Sequence, residues 1–279
     1  MSVQLVKFLQ TEQISENSFR GESRDLNTPQ VYGGQVLGQA IHAAHMTVQQ
    51  RVIHSTHAYF LRRGDFNEPI DYQVERSRDG GSFSARRVVA MQKGRPIFTL
   101  AASFQKPEEG LDYAEPFDMP PGPEEIEVPQ ATLDGIRRRS NILFDEAFTI
   151  RPVELPSDPK APAVQFWIKT AEKLADNDAL HCAALAYISD FGLLTSVGIP
   201  HGYRLREQAQ KPKTRLMMAS LDHAIWFHRP FRMDQWHLFF ASPISASGSR
   251  GLARGRVFNR AGQLIVTTAQ EGLMRELSR

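Results

Sequence analysis

The run Ala219-Ser-Leu-Asp-His-Ala-Ile-Trp-Phe-His-Arg-Pro-Phe-Arg232 sets a hydroxyl, a carboxylate and an imidazole close together, at Ser220, Asp222 and His223. A serine activated by a histidine that a carboxylate orients would be a nucleophilic triad. The same run holds Leu221, Ile225, Trp226 and Phe227 and closes at Pro230, which predicts a central β-strand. Strand alternation places Ser220, Asp222, Ala224, Trp226 and His228 on one face and Leu221, His223, Ile225 and Phe227 on the other. The imidazole then points away from the hydroxyl. No triad is expected within the run, and any chemistry of Ser220 needs partners from elsewhere.

Other residue groups offer less. His42 and His45 share a helical face, but no His-Glu-x-x-His or paired-cysteine spacing accompanies them, and no metal is expected. Gly33 to Gly38 lacks the Lys-Ser/Thr of a phosphate loop, so packing of small residues explains it better. There is no Gly-x-Ser-x-Gly, and Cys182 falls inside an apolar helix where it reads as core.

The chain as a whole narrows the classes further. Its 279 residues are 41% hydrophobic, enough core for one large domain or two small ones. Thirty-three basic side chains against thirty-one acidic ones leave a net charge of +2, which gives no reason to expect a nucleic-acid partner. The one basic cluster, Arg137-Arg138-Arg139, reads as a solvated helix face. A single cysteine rules out an intrachain disulfide framework and fits a reducing compartment. The first ten residues lack a signal-peptide core, and no run comes near the roughly 18 apolar residues of a membrane span. The C-terminal Leu277-Ser278-Arg279 is not a Ser-Lys-Leu import address. The expectation is a soluble, cytoplasmic protein without membrane association.

Periodicity supplies the elements that must position these groups. After a short N-terminal helix, residues 18–22 predict a strand and 32–46 a helix, whose small residues imply close packing, with a sheet the obvious neighbour. Strands follow at 53–62, 69–78, 82–93 and 95–105, with tight turns at Asp79-Gly80 and Lys93-Gly94. The proline-rich, acidic stretch at 107–130 reads as a linker between a module at 1–106 and another at 131–279. The second module begins with a short basic helix and strands at 147–153 and 163–170. A helix at 176–195 and strands at 215–229, 236–246, 250–260 and 263–274 complete it.

This order repeats that of the first module, and residues echo across it: His57-Ala58 with His223-Ala224, Phe60 with Trp226, Arg63 with Arg229, Arg87-Val88 with Arg256-Val257, and Gly94 with Gly262. Each half reads as a sheet wrapped around one helix, with the sheets joined into a single curved surface. In this alignment Ser220 falls opposite His54 and Gln270 opposite Ala102, so polar residues gather in the second copy only. His57 and His223 fall at equivalent positions, which suggests a shared structural role.

Nearly the whole chain resembles the acyl-CoA thioesterase II family, through Val31-Tyr-Gly-Gly-Gln-Val-Leu-Gly-Gln-Ala40, His57-Ala-Tyr-Phe-Leu-Arg62, Asp79-Gly-Gly-Ser-Phe-Ser-Ala-Arg-Arg-Val88, Ala102-Ser-Phe-Gln105, Ala186-Tyr-Ile-Ser-Asp190, the 219–232 run and Gln270-Glu-Gly-Leu-Met-Arg275. Their joint order and spacing carry the likeness. The resemblance implies an α+β double hotdog and hydrolysis of acyl-coenzyme A by an activated water, with no cofactor, metal or covalent intermediate. It places the family's acid on Asp190, its hydroxyl position on Ser220 and its amide position on Gln270. All three residue types match, and serine keeps the hydroxyl where some relatives carry threonine.

The implied roles are physically coherent. A base must stay ionised although burial raises a carboxylate's pKa, and donors from Ser220 and Gln270 would hold Asp190 charged. Backbone N–H groups at Tyr32-Gly33-Gly34-Gln35, where the first large helix opens, could stabilise an oxyanion. Arg62, Arg63, Arg86, Arg87, Arg254 and Arg256 lie on or beside predicted strands and are candidates for the phosphates of coenzyme A. Two rivals remain: an acyl-CoA hydratase or dehydratase on a hotdog fold, which would usually pair an Asp with a His, and a non-catalytic acyl-CoA binder. By analogy with hotdog sheets, a homo-oligomer, dimer or tetramer, is expected.

Overall fold

The computed structural model describes residues 3–28, 30–137, 147–153, 163–203 and 215–277. Most of the basic cluster at 137–139 lies outside the described residues. The first half holds α1 (Val3–Leu9), β1 (Glu12–Ser15), β2 (Ser18–Gly21), α2 (Gly33–His45), β3 (Val52–Phe60), β4 (Ile70–Asp79), β5 (Phe83–Gln92) and β6 (Arg95–Gln105). The second holds α3 (Gln130–Arg137), β7 (Phe148–Pro152), β8 (Val164–Thr170), α4 (Asp178–Ser189), α5 (Leu193–Gly198), β9 (Arg215–Ser220), β10 (Asp222–Phe227), β11 (His237–Ser247), β12 (Arg250–Asn259) and β13 (Leu264–Leu277).

All thirteen described strands form one antiparallel sheet, in the order β1-β2-β4-β5-β6-β3-β10-β13-β12-β11-β8-β7, with β9 also on β13. The two halves join where β3 pairs with β10. The central-strand reading of the 219–232 run therefore holds for its 222–227 portion. Alternate residues of β10 are buried, as a strand with one covered face requires.

The covering helices are α2 and α4, which lie against each other. Small residues at helical spacing make this possible. A Cβ on Gly34 would sit 2.1 Å from the carbonyl oxygen of Tyr187, and one on Gly38 would sit 2.8 Å from that of Ala183. The sequence suggested a sheet as the close neighbour of 32–46, but the tightest approach is backbone to backbone between two helices. A glycine one turn after another removes the side chains that would hold the axes apart.

The 215–229 strand is interrupted. Ser220 stands opposite Gly272 in one ladder and Ala224 opposite Ala269 in the next, so three residues on one chain face two on the other. This is a β-bulge at Leu221–Asp222. It overturns the alternation expected across the run, because one extra residue returns Ser220 to the face that His223 occupies. A matching irregularity separates Ile53 from Ser55 in β3.

The ladders also correct the alignment of the two copies. His57 is opposite Ala224 and exposed, whereas His223 is opposite Ala58 and fully buried. Residues directly opposed on antiparallel strands share a face, so the two histidines are not equivalent. The same one-residue offset appears at the strand ends. Arg62 gives its backbone N–H to Ile97 and its guanidinium to the Pro96 carbonyl at 2.7 Å, while Arg229 does the same with Ile265 and with Leu264 at 2.5 Å. Arg62, not Arg63, is the counterpart of Arg229.

Residues 107–129 hold no strand or α-helix, yet they are not a loose connector. Phe117, Met119 and Ile126 pack over Trp167, Leu238 and Phe258, a fully buried row on the sheet's outer face. Phe117 stacks on Phe258 with centroids 4.4 Å apart, and the Arg256 guanidinium lies 4.8 Å from the Phe117 centroid. Asp112 meets Arg229, and Glu124 meets Arg260 at 2.9 Å. The connector is a strap across the second half.

Among the described residues one stretch, Asp178–His201, is long and apolar enough by composition to cross a membrane, contrary to the sequence expectation, but 67% of its most apolar window is buried. It is the core helix α4, broken before α5. Its apolar character follows from its position under the sheet.

Candidate active site

Helix α4 begins at Asn177, whose side chain accepts the Ala179 N–H at 2.9 Å, and it ends at Asp190. The sequence predicted helix through 195, but Gly192 adopts φ +79° and turns the chain before α5 starts. A left-handed glycine just beyond a helix end is a common stop. The break is what frees Asp190 from the apolar stripe of α4 and turns its carboxylate across the helix pair.

That carboxylate collects donors from both halves. Its Oδ2 accepts the backbone N–H of Gly34 at 3.0 Å, and its Oδ1 accepts the Nε2 amide of Gln270 at 2.5 Å. The same amide lies 2.9 Å from the hydroxyl oxygen of Ser220, and that hydroxyl also bonds the Asp190 carboxylate. Three residues that the sequence analysis singled out from three separate elements, Asp190, Ser220 and Gln270, are thus brought together. Gln270 is fully buried, while Asp190 keeps partial access to solvent.

Burial pushes the Asp190 carboxyl above its ordinary range, and the bonds from Gln270, Gly34 and Ser220 pull it back. Gly34 lies in the first turn of α2, where unpaired N–H groups and the helix dipole favour an anion. The sequence offers the N–H groups of residues 32–35 to an oxyanion. At Gly34 the structure gives that donor to the carboxylate. Tyr32 and Tyr187 flank the acid, their rings meeting edge to face at 5.1 Å, and burial pushes both phenols up so that they stay neutral.

Two further contacts beside the site were missed from sequence. His223 reaches the hydroxyl of Ser189, the residue before Asp190, at 2.9 Å, and burial lowers its pKa to about 3, so it is neutral. Asp222 accepts the backbone N–H of Glu271, the residue after Gln270, at 2.7 Å. The second arises from the bulge, which strict alternation could not foresee.

Other candidates find ordinary roles. His42 accepts the backbone N–H of Thr11 at 3.2 Å, and the His45 ring meets Phe104 edge to face at 5.0 Å. Cys182 is buried, with its thiol pushed above its ordinary range. Arg86, 2% exposed, bonds Thr47 and Asp79, and Arg256 lies beneath the strap near Glu115, so both serve packing.

Known proteins place this arrangement. Residues 23–105 match the acyl-CoA thioesterase N-terminal domain, and residues 144–273 match the acyl-CoA thioesterase family. Acyl-CoA thioesterase 2 of Haemophilus influenzae is 38% identical over 97% of this chain and 96% of its own length. Human acyl-coenzyme A thioesterase 8 is 37% identical over 98% of this chain and 89% of its own. The crystal structure of an acyl-CoA thioesterase II from Mycobacterium marinum superposes with a TM-score of 0.79 at 37% identity, covering 98% of this chain and 99% of that one.

The fold is a double hotdog, an α+β architecture in which one antiparallel sheet wraps two central helices. The chain belongs to the acyl-CoA thioesterase II family.

Proposed function

We propose that this protein hydrolyses acyl-coenzyme A to a free fatty acid and coenzyme A, with Asp190 as general base and Ser220 and Gln270 orienting the attacking water. The observation that carries the reading is the convergence of Asp190, Ser220 and Gln270 within hydrogen-bond reach of one another. An ionised acid held by neutral donors can take a proton from water without first losing its own charge to an ion pair. Water oxygen attacks the thioester carbon while Asp190 accepts the proton. Collapse of the oxyanion breaks the carbon–sulfur bond, and the proton passes to the departing sulfur. The N–H of Gly33, at the start of α2, is suited to the oxyanion, because Gly34 already serves the carboxylate and Gln35 and Val36 donate to the Tyr32 carbonyl.

Membership of the thioesterase family supports this reading over a binder, which has no need of an acid steadied by two polar side chains. A dehydratase would want an imidazole facing that acid, and His223 turns instead to Ser189. The single, buried cysteine fits a cytoplasmic setting, and among the described residues the sheet ends at edge strands β1 and β7, whose outer ladders leave room for a homo-oligomer.

Incubation of purified protein with acyl-CoAs of graded chain length should release free thiol. An Asp190→Asn variant should release it at least about a hundredfold more slowly, the typical contribution of a general base. No thiol from any chain length, or undiminished turnover by the variant, would sink the proposal.

A further inference from the structure

Ser220 and Gln270 come from different strands, so their meeting depends on the register of β9 and β10 against β13. A regular ladder through the run would turn Ser220 away from the helix-covered face. The bulge prevents this, at the cost of breaking the backbone pairing opposite Glu271. What restores that pairing is a side chain. The Glu271 N–H bonds Oδ1 of Asp222 at 2.7 Å, while the Glu271 carbonyl accepts the N–H of Leu221 at 2.9 Å. The extra residue is itself tied down from the other side, since the Leu221 carbonyl accepts the N–H of Phe60 at 2.9 Å.

Asp222 does not face the reacting groups. It stands opposite Tyr59, whose side chain is exposed on the sheet's outer surface. The corresponding irregularity of the first half, at Ile53–Ser55, places Ile53, not a hydroxyl, at the position that matches Ser220. A bulge is thus common to both halves, but only in the second does it deliver a polar group.

We propose that Asp222 is a positioning residue of the hydrolytic site: its carboxylate replaces the ladder acceptor lost at the bulge, and so holds Ser220 and Gln270 on the face that Asp190 meets. The role requires an acceptor oxygen, not a charge. It rests on the reading of Asp190, Ser220 and Gln270 as the hydrolytic group.

The test compares Asp222→Ala with Asp222→Asn on the full-length protein, measuring kcat and KM for one acyl-CoA that the parent hydrolyses. Loss of the acceptor should lower kcat by about ten- to a hundredfold, the penalty for leaving the Glu271 N–H without a partner, with KM changed less than about threefold. The asparagine variant keeps an oxygen at the same place and should hold kcat within about threefold of the parent. Unchanged kcat in the alanine variant, or equal damage in both, overturns the proposal. Should the alanine variant fail to fold, the asparagine variant alone decides: low kcat in an Asp222→Asn protein that still melts cooperatively contradicts the acceptor role, and parental kcat supports it. Asp190→Asn is run alongside. Full turnover in that variant would remove the underlying reading, whereas its inactivity beside a fully active Asp222→Ala would remove only the role of Asp222.

Discussion

The backbone N–H of Gly34 donates to the Asp190 carboxylate at 3.0 Å, although the two residues belong to different halves of the chain. The contact exists because Gly34 has no side chain: a Cβ there would lie 2.1 Å from the Tyr187 carbonyl oxygen. A backbone atom cannot swing aside as a side chain can. Gly34→Ala should push α2 away from α4, cost about 3 kcal/mol of stability, and lower turnover by withdrawing a donor from the acid. Thermal melts with steady-state rates check both; a variant with the parental melting point and kcat would contradict the packing described.

The pH dependence of turnover follows from the burial of Asp190. The base works only when ionised, so activity is present above its pKa and lost as pH falls through it. Burial raises that pKa, so the acid limb of kcat/KM should lie above the ordinary aspartate value of about 3.9. The groups facing it, Tyr32 just before α2, Tyr187 from α4, Ser220 and Gln270, are neutral in this range. Rate profiles from about pH 4 to 9, spanning the carboxylate range and beyond, provide the check.

The same shift has a stability consequence of opposite sign. A carboxyl that is harder to ionise in the folded state weakens folding once pH exceeds its unfolded pKa. The stability of the parent relative to Asp190→Asn should therefore fall as pH rises from about 4 to about 7, on top of a pH-independent cost of setting an Asn amide among three donors. Denaturant unfolding at the two pH values measures it.

Ser220 contributes a hydroxyl, and the size of its side chain matters less. Ser220→Ala should reduce kcat by about tenfold or more, while Ser220→Thr should keep most of it, since threonine carries the same group on a strand-favouring residue. Equal losses in both would point to volume and away from the hydrogen bond.

Gln270 donates to Asp190 and Ser220 while its Oε1 is buried without a partner among the described residues. Gln270→Glu replaces a donor by a second acid against Asp190. Like charges disfavour joint ionisation, so the acid limb of kcat/KM should move to higher pH. A limb left in place would show that the amide does not help to hold the carboxylate charged.

The strap makes a prediction about stability alone. Phe117 lies between Phe258, Phe240 and Arg256 on the outer face, away from the helix-covered site. Phe117→Ala should cost about 2 kcal/mol in unfolding and leave kcat near the parental value.

Much of this was legible in the sequence because the periods are strong: β2 to β6, α2 and the start of α4 were readable to within a few residues, whereas the short, exposed β1 was not. The gathering of polar groups in the second copy was also visible, since Gln270 and Ala102 differ in kind. Register was not. A single inserted residue at Leu221–Asp222 leaves composition and periodicity almost untouched, yet it reverses which face Ser220 occupies and shifts the pairing of His57 with its counterpart by one. The end of α4 at Asp190 was likewise hidden, because the apolar pattern runs on through Leu193 and Leu194 and only Gly192 marks the turn. The strap looked like a spacer because its prolines and acids outnumber the three apolar residues that anchor it.

Because the acid hangs from one helix and its backbone donor from the other, the two halves cannot be divided into independent enzymes. A fragment ending before residue 107 would carry the amide without the carboxylate. A fragment starting after the strap would carry the carboxylate without the amide, and would bare Trp167, Leu238 and Phe258 to solvent as a sticky wall. The two halves depend on each other, so any working circular permutant or split version must keep both pieces in one complex.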